Sequence, residues 1–581
     1  MAAFSPSESP AITVKEVDLS GYVPNVQSTT GAVVGNFRWG PAKQATLVSS
    51  EADLAERFGA PSSTNAVDFL SAAQFLRYSS AMYVVREYTS LAKNATSSTT
   101  TVTVINNSTH FEEIKSTFGA GGGSLVNVGG WVAKYPGILG NSLKVEICTA
   151  KSDDAPFNAW AYKGQFDSAP GTSTYASTRN ATLDECHIVV VDATGLISGS
   201  VGTVLERFAF LSLASDAKTT DGSSNYALDV INTGSEYVWL AHWDGDLTTL
   251  TNAGTATTPG TAKAFGGSVG LAITKTLSGG VDSGALTTTE VLTGLDSYED
   301  VDTITVDFII APGMGTSGDQ VTVVNDLVST AASRKDCVVV TSPDRAAVVN
   351  NATPTTATVT TSNSFNKSSY LIVDNNYLKV YDKYNDQYID IPAASTTAGV
   401  MAATDANAAP WFSPAGQRRG QYFGVTSLAY SPTKTERDTL YKAGINPVAN
   451  IPGQGILLFG DKTFLGRPSA FDRINVRRLF LVVERAIAAA AKNVMFEFND
   501  EFTRAEFTNI VEPFLREIQG RRGITDFKVV CNSTNNTPSV VDRNEFIANI
   551  FIKPARSINY VTLNFVAVRT GVDFEEVVGT V

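Results

Sequence analysis

The stretch from residue 455 to 568 constrains the fold most, because two helices with clear starts are followed there by strand-like runs. Apolar residues recur at helical spacing in the first helix, at Val476, Leu479, Phe480, Val483 and Ile487. Ser469 and Asp472 form a capping-box pattern at its start. A second helix is predicted from Thr503 to Gln519, with Thr503 and Glu506 as another capping box. Pro513 predicts a kink or a restart within it.

Three strand-like runs follow the helices. They are Asp526–Cys531, Glu545–Lys553 and Ile558–Val568. Side chains alternate in character along the last run, as they do in a half-buried strand. Two helices on an antiparallel sheet predict a compact α+β unit. Nothing in this unit suggests catalysis.

Charge is distributed unevenly along the chain of 581 residues, whose net charge is −13. Residues 411–581 carry a net charge of +4, whereas residues 1–410 carry −17. The acidic bulk argues against a nucleic-acid partner, and the basic C-terminal part favours an acidic protein surface. No apolar run is long enough to cross a bilayer, and the first residues do not resemble a secretory signal. We therefore expect folding and assembly in a cytoplasm.

The four cysteines favour the same compartment. Cys148, Cys186, Cys337 and Cys531 are far apart and form no C-x-x-C pair. We interpret them as small buried hydrophobic residues.

The middle of the chain predicts an α/β domain. The runs HIVVVDATG, RFAFLSLA and VDFIIAPG are candidate buried strands, and a helix followed by DCVVVTS indicates βα alternation with a parallel sheet. Residues 91–130 and 213–285 are rich in Ser, Thr and Gly, and we expect them to form outward-facing insertions.

Catalytic patterns are lacking. The three histidines are His110, His187 and His242, and no serine lies in a G-x-S-x-G setting. The sequence has no H-E-x-x-H motif and no phosphate-binding loop. The sequence HWDGD around His242 allows a weak cation site, although a surface turn explains it adequately. We assign no catalytic, cofactor-binding or metal-binding residue.

Long motifs carry a family resemblance. The segments GINPVANIPGQGILLFGDKT, FDRINVRRLF and VEPFLREIQGRRGITDFKVVCNSTNNTP resemble the C-terminal domain of contractile-tail (myovirus-type) bacteriophage tail sheath proteins. The pattern IDIP…AGVMAATD…PWFSPAG and the N-terminal stretch from TGAVVGNFRWG onward are also similar to that family.

The resemblance implies a multidomain chain of the α/β and α+β classes, with a sheath core from its N- and C-terminal parts. A central α/β domain of subtilisin-like fold and β-rich outer insertions complete it. The expected division is an N-terminal arm (1–22), the N-terminal part of the core (23–90), a flexible outer insertion (91–130), the central domain (131–345), its continuation (346–430), a tube-facing C-terminal α+β domain (431–569) and a C-terminal arm (570–581).

The resemblance further implies a structural subunit that polymerises as stacked hexameric rings around a tail tube. Contraction then drives the tube through the host envelope during genome delivery. The expected partners are other copies of the chain, the tube protein, and the baseplate and tail terminator proteins, without membrane insertion. The expected location is the virion, after assembly in the bacterial cytoplasm. A sheath of a related injection or secretion system is the alternative, and a subtilisin-fold hydrolase is a distant one.

Two sets of residues are candidates for these contacts. A basic stripe on the first helix is predicted to face the tube, and it comprises Arg473, Arg477, Arg478, Arg485 and Lys492. The two terminal segments alternate like strands but are too short to be stable alone. They contain Ile12, Val14, Glu16 and Val17 at one end and Val572, Phe574 and Glu576 at the other. We expect both segments to add strands to a neighbouring subunit, although frayed termini are the simpler interpretation.

Overall fold

The computed structural model describes residues 28–97, 104–115, 130–243, 263–265 and 272–558. The strands of this part are β1 (Gly31–Gly35), β2 (Thr46–Val48), β3 (Met82–Arg86), β4 (Trp131–Ala133), β5 (Leu143–Thr149), β6 (Ala181–Thr182), β7 (Glu185–Asp192), β8 (Thr203–Ser212), β9 (Val238–Leu240), β10 (Lys263–Ala264), β11 (Ala272–Thr276), β12 (Phe308–Ile310), β13 (Val338–Thr341), β14 (Leu371–Val373), β15 (Tyr377–Asp382), β16 (Gln387–Pro392), β17 (Ser427–Leu428), β18 (Val448–Ile451), β19 (Gly455–Leu458), β20 (Ile524–Val530) and β21 (Asn549–Pro554).

The helices of this part are α1 (Glu51–Phe58), α2 (Ala66–Leu76), α3 (Ser108–Ile114), α4 (Ala155–Ala159), α5 (Thr174–Ser177), α6 (Ala227–Gly234), α7 (Thr288–Leu295), α8 (Ser317–Arg334), α9 (Arg345–Val348), α10 (Pro354–Ser362), α11 (Ala394–Asn407), α12 (Lys434–Lys442), α13 (Ile474–Ala491), α14 (Glu501–Gly520) and α15 (Pro538–Val541). The described part of the chain divides into two compact units. The larger unit comprises residues 28–410 and 414–485, and the C-terminal unit comprises residues 411–413 and 486–558.

A six-stranded sheet forms the centre of the larger unit, with the order β14-β13-β12-β1-β3-β2. The first five strands pair in parallel, and only β2 runs antiparallel to its neighbour. Short apolar runs such as FII and VVVT are buried throughout, as parallel strands covered on both faces require. The predicted βα alternation is confirmed by β12, α8 and β13. Because β1 pairs with β12, the N-terminal stretch shares one sheet with the central stretch.

Helices cover both faces of this sheet. Phe69 and Phe75 of α2 and Met401 of α11 belong to the core on one face. Val291 of α7 and Leu327 of α8 belong to the core on the other. A Cβ atom on residue 31 would lie 2.5 Å from the Phe75 ring, so a glycine is required where α2 crosses β1.

Helix α1 begins at a serine cap. The Ser50 hydroxyl accepts a hydrogen bond from the Asp53 amide at the start of α1. Such a cap supplies a partner for one of the free N–H groups of the first helical turn. Leu54 and Phe58 then lie fully buried on one face.

A second, antiparallel sheet holds two of the runs that the sequence assigns to the central α/β domain. Its order is β11-β5-β7-β8, with HIVVVD in β7 and RFAFLS in β8. Ile188 and Val190 of β7 are buried in a core that lies apart from the cores of the parallel sheet. The β7 run is therefore a buried strand, as predicted, whereas β8 buries only Leu211 and Ser212 of the run RFAFLS, and neither strand extends the parallel sheet.

The C-terminal unit is built on α14 and a two-stranded sheet of β20 and β21. Buried residues Phe507, Val511 and Ile518 follow one face of α14. The helix continues through Pro513 as one element, so the predicted restart is wrong. Its cap is Asp500, which accepts from the Thr503 amide, rather than the predicted Thr503.

The cysteines are all buried and none forms a disulfide. Burial raises the pKa of the Cys148 thiol to about 12. The interpretation of these residues as small buried hydrophobic side chains is confirmed.

Candidate assembly surface

Helix α13 presents the predicted apolar face to the interior, but most of its arginines are also buried. Val476, Leu479 and Val483 are at most 2% exposed. The Arg478 side chain is 5% exposed and forms an ion pair with Asp405, which is 1% exposed. Arg478 is therefore buried inside the subunit, which contradicts its predicted place in a tube-facing stripe.

Arg478 connects three segments of the larger unit. Its guanidinium donates to Asp405 Oδ1 (2.5 Å) on α11, to Met401 O (3.2 Å) and to Ser28 O (3.1 Å). It also lies 4.3 Å from the Phe308 ring centroid. Burial raises the pKa of Asp405 to about 6, and the neighbouring guanidinium opposes that rise. The contacts of Arg478 thus hold α13 against the start of the central sheet.

Arg485, two turns further along α13, makes a similar set of contacts. It donates to Asp307 Oδ1 (2.7 Å) and to the carbonyls of Val306 (3.1 Å) and Asp336 (2.6 Å). The Asp307 carboxylate also accepts from the Thr30 amide (2.9 Å). Burial raises the pKa of Asp307, while Arg485 acts to lower it.

The other three members of the predicted stripe differ in how exposed they are. Arg477 is 7% exposed, donates to Ser369 Oγ (2.6 Å) and stacks on Phe471 and Tyr370. Arg473 is half-buried and paired with Asp461 at 2.8 Å. Lys492 is exposed. Only this last residue of the five lies on a fully exposed surface.

The sheet of β20 and β21 offers two open edges within the described part of the C-terminal unit. Six register pairs join the strands, from Ile524↔Pro554 to Val530↔Asn549. Helix α14 supports them, with the Phe507 and Phe546 ring centroids 5.4 Å apart. Each strand has one edge that no other described strand covers. Open edges are sites where an extended segment can add by main-chain hydrogen bonding.

An exposed aromatic segment, residues 495–502, comprises the loop before α14 and the first two residues of that helix; it is called the aromatic loop below. The large apolar side chains of this loop are Met495 (59% exposed), Phe496 (100%), Phe498 (84%) and Phe502 (76%). The sequence reasoning missed this loop. The available signal was the sequence MFEFNDEF, in which phenylalanines lie between acidic residues directly after the apolar periodicity of α13 ends.

The predicted arm residues lie outside the described residues. They are Ile12, Val14, Glu16, Val17, Val572, Phe574 and Glu576. The proposed third strand, Ile558–Val568, is also outside, apart from Ile558, which is 84% exposed. The pairing of the arms stays a prediction.

The histidines have local structural roles in the described part of the chain. His187 Nε2 lies 2.9 Å from Ser168 O, and its Nδ1 accepts from the Phe210 amide (3.1 Å). Burial lowers the pKa of His187. His110 Nδ1 accepts from the Asn106 amide (3.3 Å). His242 is described, but Asp244 and Asp246, which the weak cation site would need, are not.

The described residues contain no group of three or more His, Cys, Asp or Glu side chains that could hold a metal ion. No helix among the described residues is both long and apolar enough to cross a membrane.

Family models match three parts of the chain. The "Tail sheath protein Gp18 domain III N-terminal region" matches residues 28–86. The "Phage tail sheath protein central domain" matches residues 284–464, and the "Phage tail sheath C-terminal domain" matches residues 467–567. The tail sheath protein of Vibrio phage KVP40 is 32% identical over 98% of this chain and 99% of its own length. The chain belongs to the phage tail sheath protein family.

Other sheath proteins agree with this assignment. The tail sheath protein of Enterobacteria phage T4 is also 32% identical, over 98% of this chain and 99% of its own length. The solved sheath tail protein of Listeria innocua shares the fold, with a TM-score of 0.53, 16% identity, and coverage of 92% of this chain and 93% of that one. The expected class, a multidomain chain of mixed helices and sheets, is confirmed.

The candidate surface lies within the range matched by the C-terminal domain model. The range 467–567 contains α13, the aromatic loop, α14 and both strands of the open-edged sheet. Residues 87–283 lie between the matched ranges and include the antiparallel sheet.

Proposed function

We propose that this chain is the structural subunit of a contractile phage tail sheath and has no catalytic role. In this proposal it polymerises as stacked rings around a tail tube, and contraction drives the tube through the host envelope. Membership of the sheath family, at 32% identity over 98% of the chain, supports the role.

The observation that carries the assembly mechanism is the two-stranded sheet of the C-terminal unit, in which each strand has one edge that no other described strand covers. Two terminal segments, 1–22 and 570–581, are available to fill two edges. Such pairing uses backbone groups, so it tolerates many side chains. Flexible connections of this kind keep subunits joined while their packing changes between extended and contracted states.

Arg478 and Arg485 form ion pairs inside the subunit, so they do not support a contact with an acidic tube. The proposed tube-facing part is still the C-terminal domain, 431–569, with exposed Lys492 as a candidate contact. Individual surface contacts of this kind are weak and salt-sensitive, which suits a sheath that must release the tube.

Deletion of residues 1–20 or 570–581 tests the assembly mechanism. Either deletion should leave a folded, soluble subunit that no longer polymerises, because an edge strand is missing from each interface. Circular dichroism reports folding, and sedimentation with electron microscopy reports polymers. Deletion of residues 2–8 is the matched control, since it ends before the alternating segment and should preserve assembly. Normal tubes from either longer deletion would refute arm exchange.

A further inference from the structure

The aromatic loop, residues 495–502, leaves several large apolar side chains exposed to solvent. Four large side chains within eight residues are between 59% and 100% exposed. Large exposed apolar side chains this close together in sequence favour an interaction surface. Aromatic side chains contribute large contact areas at such surfaces.

Hydrogen bonds hold the loop in place at its base. The Asn499 side-chain amide donates to Glu545 O (2.7 Å), and the Arg504 guanidinium donates to the carbonyls of Asn499 (3.2 Å) and Asp500 (2.8 Å). Phe496 has a φ of 70°, a left-handed conformation that is unfavourable for a bulky residue. Strained backbone of this kind clusters at functional positions.

The charges of the loop complement another face of the same unit. Glu497, Asp500 and Glu501 make the loop acidic, and all three side chains are exposed. The outer face of the β20–β21 sheet carries Lys528 opposite Phe551, which is 59% exposed. Lys553 follows on the same face, opposite Asp526. This face carries two lysines, one aspartate and an exposed phenylalanine, whereas the loop carries three carboxylates and no lysine or arginine.

We propose that the aromatic loop of one subunit docks on the outer face of the β20–β21 sheet of a second copy of this chain. The contact joins two different surfaces, so it is heterologous and repeats from copy to copy, as a ring or helical polymer requires. It uses the side chains of the sheet face, whereas arm exchange uses the backbone edges. Both contacts can therefore form on one sheet. The proposal rests on the proposed sheath function.

Serine substitutions test the apolar part of the contact. Phe496→Ser with Phe498→Ser should raise the subunit concentration needed for polymerisation at least tenfold, without changing the thermal unfolding midpoint. Leu196→Ser with Val201→Ser is the matched control, because these residues are exposed apolar side chains (49% and 77%) in the β7–β8 turn of the larger unit. Polymerisation of the loop variant at the wild-type concentration would overturn the proposal.

Charge exchange tests which surface receives the loop. Glu497→Lys with Glu501→Lys, and Lys528→Glu with Lys553→Glu, should each impair polymerisation of the full chain. A mixture of the two variants should form mixed polymers, and the quadruple variant should recover assembly. Recovery requires that these two surfaces meet. Absence of recovery from folded subunits would exclude the sheet face as the partner.

Isolated tail tubes separate the remaining explanations. If the loop variants polymerise normally alone and fail only in assembly around tubes, the partner is the tube and the proposal is wrong. If the wild-type chain forms no polymer in any condition, the proposed sheath function fails as well. Normal wild-type tubes with unimpaired loop variants would refute the docking contact alone.

Discussion

Arg478 and Arg485 show that the role of a charged side chain depends on residues far away in sequence. Their carboxylate partners, Asp405 and Asp307, lie 73 and 178 positions away. Helical periodicity predicts the apolar face of α13, because that signal is local. It cannot predict a buried ion pair, because the partner comes from another element. The same limit explains why the predicted tube-facing stripe includes arginines that lie inside the subunit.

Loss of Arg478 should destabilise the subunit strongly. Arg478→Met retains the apolar stem but leaves the Asp405 carboxylate buried without its partner, at an expected cost of about 3–5 kcal/mol in the free energy of unfolding. Denaturant titration below the polymerisation concentration measures this cost. Lys492→Met, an exposed change on the same segment, should alter it by less than about 0.5 kcal/mol. A further change of Asp405→Leu should restore part of the loss. Equal stability of the two single variants would contradict the structural role of Arg478.

Asp374 should make stability depend on pH. Burial raises its pKa to about 7, although Ser342, Thr397 and the Asn376 amide donate to it. The folded state therefore holds this proton more tightly than the unfolded state, and the free energy of unfolding should fall as pH rises from about 4 to about 7. The full effect is about 4 kcal/mol at 1.36 kcal/mol per pKa unit. Asp374→Asn should flatten this part of the profile. Identical slopes for both proteins would contradict the assignment.

At the scale of elements, local signals predict the buried faces of helices better than their ends. Ser50 caps α1, because its hydroxyl can accept from an amide of the first helical turn. In α14, Asp500 and Thr503 both match the preference for a cap, and the sequence alone does not rank them. Asp500 is used because the helix extends one turn further toward the aromatic loop. That turn places Phe502 on the exposed surface.

The cap of α14 can be tested directly. Asp500→Ala should lower the free energy of unfolding by about 1 kcal/mol, because the Thr503 amide loses its partner. Glu506→Ala removes the acidic residue of the alternative capping box and should change stability by less than about 0.5 kcal/mol. Denaturant titration compares the two variants. A larger effect at Glu506 than at Asp500 would favour the start predicted from the sequence.

At the scale of the whole molecule, long motifs predict the family, whereas the pairing of distant strands was beyond sequence reasoning. The strands β1 and β12 are separated by more than 270 residues and yet are neighbours in one sheet. Apolar runs such as HIVVVD predict a buried strand without indicating which sheet contains it. HIVVVD lies in β7, which pairs with β8 in the antiparallel sheet and not in the parallel one.

Electron microscopy of the purified full-length chain tests the central claim most directly. The sheath account predicts hollow tubes with regular helical order, assembled without nucleotide, because subunit contacts alone supply the stability of the polymer. Deletion of residues 1–20 should abolish these tubes while the subunit remains folded. A chain that stays monomeric at all concentrations and reacts with a serine-hydrolase probe would contradict the account.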